Sequence, residues 1–286
     1  TYQINFTFRL HAPFAGEPMA AMRDLQAHQA GRWSAYVDTG DHAICSASPE
    51  LFFSADSERV ICQPMKGTWP RGFWPAQDAA QGESLRQSPK NRAENVMVVD
   101  MTRNDIGRLA RAGSVTTPSL FDIERYPLQW QMASTVQGRV DRPRLPDLFG
   151  ALFPSGSVTG APRHRSMAII RSLEATPRGI YTGAIGYLSP HGRRHFNVAI
   201  RTVTIDLARR RAEFGVGSGI AASTGTARQV PDARTRASSP VATAPLAVRR
   251  GQAPASVSSV GATSAPEDAT AAQAPGDPTE SATRSG

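Results

Sequence analysis

The sequence predicts an α+β fold, mostly antiparallel β-sheet with helices, followed by a disordered C-terminal tail. Three observations carry this. Short runs rich in Phe, Val, Ile and Thr alternate with period two between polar or Gly-containing turns, as in hairpins and meanders. Other stretches open on helix-start residues and continue with apolar residues at helical spacing. From Ala221 to Gly286 there is no aromatic residue, Met, Ile or Lys, and one Leu, Leu246. Such a segment cannot bury enough apolar surface to offset its ordering entropy. The expected organisation is a folded domain over 1–220 and a low-complexity disordered tail over 221–286.

Composition narrows the function classes. A length of 286 residues permits one large domain or two small ones, and 40% apolar residues suffice for a sizeable core. The formal charge of +8 invites a nucleic-acid reading. Against it, the arginines are scattered, the longest basic run is Arg209-Arg210-Arg211, and no nucleic-acid-binding motif is present. No stretch is apolar enough to span a membrane and no signal peptide is visible. Cys45 and Cys62, on two neighbouring predicted strands, are too few for a disulfide framework, so a reducing cytoplasm is the default.

Taken in order, TYQINFTFRL alternates Tyr2, Ile4, Phe6 and Phe8 as a half-buried strand. A chain opening inside a strand, without Met, is expected to be an N-terminally incomplete domain. Met19–Ala30 reads as a short helix, and Ser34–Val37 and Ala43–Ala47 as strands. Leu51–Ser54 and Arg59–Gln63 form a hairpin around Ala55-Asp56-Ser57-Glu58. A turn centred on Asp56 and Ser57 sets Glu50 opposite Gln63, with Lys66 three residues on, about 10 Å along the strand. Strict alternation puts Lys66 on the opposite face, so a bend at Pro64 or Gly67 is needed to bring the two together.

Of the 32 basic residues only Lys66 and Lys90 are lysines. Arginine does not surrender its proton in a protein, whereas a desolvated lysine serves as a neutral nucleophile or base. Lys66 in its Pro- and Gly-framed turn is either such a group or an exposed turn residue. Glu50 is either its acidic partner or a solvated strand-end carboxylate.

A Gly/Pro-rich loop leads to Gln87. Ser88 then caps a helix with Pro89 at its first position, and Ala93, Met97 and Met101 form its expected buried stripe. Glu94 lies beside that stripe. A half-buried carboxylate needs a partner, which is either Mg²⁺ or an arginine such as Arg92 or Arg103. Ser114–Arg125 and Gln129–Val140 read as strands. Gly156 and Gly160 allow a tight turn, and Pro162 starts a helix with Met167, Ile170 and Glu174 at helical spacing. That helix start gathers backbone N–H groups and is either an anion site or only a cap. Ile180–Ser189 and His195–Asp206 form a meander in which Arg201 faces away from the apolar set, toward a cleft or toward solvent. Gly215–Gly219 follows a last strand.

SPELFF followed by PMKGTWPRG resembles the signature of the chorismate-utilising enzymes, which include anthranilate synthase component I, isochorismate synthase, salicylate synthase and aminodeoxychorismate synthase component I. ENVMVVDMTRND, PSGSVTGAPR, YTGAIGY, NVAIRT and GVGSG are similar to further elements of that family, over about residues 1–220. The resemblance implies antiparallel sheets packed face to face with helices outside. Most members have Ala at position 66, and the lysine form is similar to aminodeoxychorismate synthase component I.

By that resemblance Lys66 adds to the chorismate ring while Glu50, as general acid, protonates the departing hydroxyl. Ammonia from a glutamine amidotransferase partner subunit then displaces Lys66, leaving 4-amino-4-deoxychorismate. Gly67, Thr68 and Thr159 would contact the substrate. Tyr181 and Arg201 would hold one carboxylate, Gly217, Ser218 and Gly219 the other, and Glu94 would ligate Mg²⁺. Asp100, Arg103, Asn104 and Asp105 would fix the helix end.

The chain departs from the family pattern in three places. Trp130 stands where many members have His, Arg163 where Lys is usual, and the acidic helix after the glycine-rich stretch is absent. A sister enzyme making anthranilate or isochorismate, and a truncated inactive chorismate-binding domain, are the competing readings.

Overall fold

The alternating segments form two antiparallel sheets, and the chain passes from one to the other at the points that matter for the site. The structure, a computed structural model, describes residues 1–221. Strand β1 (Gln3–Pro13) leads to helix α1 (Pro18–Gln29), then to β2 (Trp33–Asp38), β3 (His42–Ser48), β4 (Leu51–Ala55), β5 (Arg59–Gln63) and β6 (Met65–Pro70). Helices α2 (Pro75–Gln87) and α3 (Pro89–Gly107) follow, then β7 (Thr116–Arg125), β8 (Gln129–Arg139) and helix α4 (Leu145–Leu152). After the short strand β9 (Gly160–Ala161) come α5 (Arg163–Leu173), β10 (Ala184–Leu188), β11 (Arg194–Val198), β12 (Thr202–Asp206) and β13 (Arg211–Ala221). The expected tail lies, apart from Ala221 at the end of β13, outside the described residues. No described helix is long and apolar enough to cross a membrane.

One sheet runs β2-β3-β12-β13-β1-β9; the other runs β10-β11-β4-β5-β8-β6, with β7 also on β8. The chain passes between them four times, and two of these crossings are direct and frame the site. Pro49 and Glu50 separate β3 from β4, and residues 199–201 separate β11 from β12. The expected continuous strand over His195–Asp206 is therefore two strands in different sheets, broken where Arg201 takes a φ of 51°. The two crossings lie side by side. Ser48 Oγ donates to the Val198 carbonyl (2.6 Å), Val198 N to the Glu50 carbonyl (3.0 Å), and Ala47 N to the Arg201 carbonyl (3.1 Å).

Apolar packing sits on the outer faces, under helices. Ala43, Cys45, Ala47, Val203, Ile205 and Ala212 pack against Ala21, Met22 and Leu25 of α1. Phe52, Phe53, Val60, Val136 and Phe196 of the other sheet meet Val99 and Ile106 of α3 and Leu148 and Leu152 of α4. The two cysteines are free, buried and in different sheets rather than on neighbouring strands. Between the sheets a set of buried polar residues gathers, Gln3, Asn5, Thr7, Ser46 and Thr202 on one side and Asn197 on the other, alongside the apolar Met65, Val158 and Val216. This reverses the face expected for β1. Gln3, Asn5 and Thr7 are inside, while Phe8 is 40% exposed, because the inner face borders a polar cleft.

Three further expectations change. The stretch before Gln87 is helix α2, not loop: Pro75 at its first position and the Ala- and Gln-rich run after it favour helix, and Gly82 leaves room for the Trp130 ring. In α3 the buried stripe is Asn91, Asn95, Val98, Val99 and Ile106, with Ala93 exposed. Asn95 takes an interior position because its hydrogen bonds are met: Nδ2 donates to the Lys66 and Met132 carbonyls (3.1 and 3.3 Å), and Oδ1 accepts from Ser134 Oγ (2.6 Å). In α5, Pro162 is the N-cap, Ser166 and Ile170 are buried, and Met167 is 42% exposed. Asp105 closes the far end of α3 by accepting from Arg108 and from Arg163 of α5 (3.1 Å each).

Replacing Asn95 by Ala would remove its bonds to the Lys66 and Met132 carbonyls and take the acceptor from the buried Ser134 hydroxyl, for a loss of about 2–4 kcal/mol in urea unfolding. A change under about 0.5 kcal/mol would mean that this bridge does not hold α3 to the sheet.

Candidate active site

A cavity of about 220 Å³ opens between the sheets beside the two crossings. Its floor is the inner face of β1 and β13, where Asn5 pairs with Gly219 and Thr7 with Gly217. Alternate glycines leave this floor bare: a methyl on Gly217 would fall 2.7 Å from Thr7 Cγ2, and one on Gly215 would fall 2.2 Å from the Tyr181 ring. Only glycine fits such close approaches.

Glu50 enters from the first crossing and is 3% exposed. Burial pushes its carboxyl up to about 7, against the opposing pull of a hydrogen bond from Ser157, the Lys66 charge, a Met65 backbone bond and the Arg201 charge. A carboxyl held there is partly protonated at neutral pH and can give a proton to a leaving group.

Lys66 reaches the same cavity through a bulge. Strands β5 and β6 continue one another along β8, Cys62 facing Val136 and Met65 facing Ala133, and the register slips by one before Thr68 faces Gln131. Gly67, at φ 105°, takes the slip and lies against Asn91 and Met132. The hairpin also pairs Gln63 with Leu51 rather than with Glu50, because its turn lies one residue further on, with Ala55 facing Val60, and an irregularity between Leu51 and Ser54 takes back only part of that shift. The expected bend is thus a bulge at Lys66-Gly67, and Pro64 stays in register, its carbonyl accepting from Ser134 N (3.1 Å). Both lysines of the chain, Lys66 and Lys90, line this one cavity.

Arg201 enters from the second crossing, its guanidinium 5.8 Å from the Tyr126 ring centroid. A positive φ at a non-glycine residue is backbone strain of the kind that collects at functional sites. Tyr181 lies in a turn before β10, not in a strand as expected, and the Arg9 guanidinium stacks on its ring at 5.2 Å. With Lys66, Lys90 and Arg201 against Glu94 and a Glu50 of raised pKa, the cavity favours an anionic ligand.

Gly67, Thr68, Tyr181, Arg201, Gly217, Ser218, Gly219 and Glu94 all border the cavity with Glu50 and Lys66. Thr159 does not. It is buried beside the cavity, its hydroxyl donating to the Ser155 carbonyl (2.9 Å), and Ser157 is the residue of that turn that lines it. Trp130 also lies outside, donating from Nε1 to Asp78 (3.0 Å); its neighbour Gln131 borders the cavity and accepts from Thr68 Oγ1 (3.4 Å). Sequence reasoning missed Gln131, Ser157, Asn5 and Asn91 as lining residues. For Lys90 the signal was present, since it is the second of only two lysines.

The ion partner of Glu94 is Lys90 (3.9 Å), not an arginine. Magnesium demands near-octahedral oxygen ligation. Among the described residues no three His, Cys, Asp or Glu side chains converge. Glu94, facing the Lys90 ammonium, is with Glu50 one of the two carboxylates among the described residues lining the cavity, and it would be the one to offer oxygen to a magnesium ion there.

Comparison with known proteins agrees with this arrangement. A family profile described as chorismate binding enzyme matches residues 1–228. Aminodeoxychorismate synthase component 1 of Escherichia coli is 43% identical over 206 residues, 71% of this chain and 45% of that protein. Aminodeoxychorismate synthase of Streptomyces pristinaespiralis is 40% identical over 227 residues, 78% of this chain and 31% of that protein. The chain thus spans under half the length of these relatives. The crystal structure of anthranilate synthase component I from Streptococcus pneumoniae superposes with a TM-score of 0.74 at 32% identity, covering 84% of this chain and 53% of that one. With sheets, cleft and profile in accord, the chain belongs to the chorismate binding enzyme family.

Proposed function

We propose that this chain carries the chorismate-aminating centre of an aminodeoxychorismate synthase. The observation that supports it most is that an acid titrating near neutrality, Glu50, and one of the only two lysines, Lys66, open onto the same small cationic cavity. The names of the relatives at 40–43% identity support the same reading. Lys66, as a neutral amine, forms a C–N bond to the ring as the C4–O bond breaks. The hydroxyl leaves as water with the proton from Glu50. Ammonia then forms a bond at C4 while the bond to Lys66 breaks, and one ammonia proton returns to the Glu50 carboxylate. The net change is chorismate plus ammonia to 4-amino-4-deoxychorismate plus water.

In this reading Arg201 grips one substrate carboxylate with two bonds, helped by the Tyr181 hydroxyl. The backbone amides of Gly217, Ser218 and Gly219 meet the other, and Gly67 and Thr68 flank the ring. Ammonia comes from a separate glutamine amidotransferase subunit. The structural neighbour named anthranilate synthase component I favours a second reading, amination at a different ring carbon, which makes no use of the lysine at 66.

Incubation with chorismate, ammonia and Mg²⁺ should yield aminodeoxychorismate, and Lys66→Ala should bring the rate to background. Equal rates from both proteins would remove Lys66 from the chemistry, and anthranilate as product would favour the second reading. Glu50→Gln should lower the rate about 100-fold or more, and the wild-type rate should fall as pH rises through about 7. Because the Glu50 pKa is raised in the folded state, its contribution to stability is full below about 4.5 and is lost as pH rises through about 7. The melting temperature of the wild type should therefore decline relative to Glu50→Gln between pH 5 and pH 8; a constant difference would contradict the buried acid.

A further inference from the structure

Gln3, the first residue of β1, is 2% exposed, and its Oε1 is buried without a hydrogen-bond partner. Buried side-chain oxygens are nearly always paired, so an orphan marks a partner displaced or a group held for use. Across the ladder, a methyl built on Gly219 would come 2.6 Å from Gln3 Nε2 and 3.4 Å from Lys66 Nζ. Two donors therefore crowd one point over Gly219 while the acceptor end of the same carboxamide faces away. The two ends of a carboxamide are alike in size. Rotation by 180° exchanges them without repacking and turns Oε1 toward the amine.

We propose that Gln3 is a positioning residue for Lys66, accepting a hydrogen bond from its amine through Oε1. The polar inner face of β1 then has a purpose at its first position, and Gly219 is bare because any side chain there would part the two groups. A neutral amine that donates one N–H to a fixed acceptor has its lone pair aimed along a fixed line, here into the cavity. The charged and titratable groups that share the cavity with Lys66 are Glu50 and Arg201 from the crossings, Lys90 and Glu94 from α3, and Tyr181. The catalytic meaning of this contact rests on Lys66 being the nucleophile; the contact itself does not.

Because the chain has two lysines, Lys90 serves as an internal reference for Lys66. The full chain would be labelled with trace acetic anhydride at fixed pH, and the Lys66 to Lys90 ratio read by mass spectrometry. Gln3→Met removes the acceptor and should raise the ratio severalfold; Gln3→Glu supplies a negative acceptor that holds the proton and should lower it severalfold. A purely structural role would move both variants the same way or neither, and either result would overturn the proposal. A measurement on the unsubstituted residue covers variants that do not fold: the Gln3 carboxamide carbon shift, followed by NMR as pH rises, should show a step that Lys66→Ala abolishes. No step in the wild type, or a step kept in Lys66→Ala, would also overturn it. Opposite shifts in labelling without aminodeoxychorismate formation would leave the contact standing and remove the proposed reaction.

Discussion

Keeping a carboxyl out of water where the chain passes from one sheet to the other is the constraint that the remaining structure serves. An isolated carboxylate in such a place is costly, and the usual remedies are to pair it or to let it take up a proton. Here both are used. Ser157 and the cations of the cavity hold part of the charge, and desolvation lifts the pKa to about 7. This balance needs the crossing itself to be rigid, because a degree of opening would admit water and return Glu50 to an ordinary acid. The bonds from Ser48 to the Val198 carbonyl and from Val198 to the Glu50 carbonyl supply that rigidity, and they join the same strand ends from which Arg201 projects.

A second consequence of placing polar chemistry between the sheets is that the apolar packing moves to the outside. Each sheet finds its hydrophobic contact under helices, α1 on one and α3 with α4 on the other. The sheets meet through side-chain hydrogen bonds such as those that Asn197 Nδ2 donates to the Trp33 carbonyl (2.7 Å) and to Ser46 Oγ (3.3 Å). Bonds of this sort contribute modestly each but are specific in direction, so they fix the width of the cleft more closely than apolar contact would.

Much of this was legible in the sequence, for identifiable reasons. The strands around Glu50 and Lys66 carry the period-two pattern, Ser88-Pro89 carries a helix start, and the scarcity of lysine marked Lys66. What was not legible depends on tertiary context. Alternation in β1 told that one face is buried but not which, since the buried face is the polar one. The interior of α3 holds asparagines, which a search for apolar spacing passes over. Arg201 and Tyr181 were read as strand residues because nothing local announces that the chain leaves one sheet for another at 199–201 or that it turns at Tyr181. The bulge at Gly67 was legible only as a requirement, a bend somewhere between Pro64 and Gly67, because Pro and Gly both permit one.

Helix α3 links regions that are far apart. Its first turns present Asn91 and Glu94 to the cavity and fasten Asn95 to the Lys66 carbonyl, while its last turn is clamped through Asp105 to Arg163 of α5. Nineteen residues make a rod of roughly 28 Å. Such a rod does not bend to absorb a small displacement at one end; it tilts as a lever. A shift of α5 against the clamp would therefore be delivered at the opposite end as a change in where the lysine-bearing bulge sits, which gives the cleft a mechanical handle well away from the substrate.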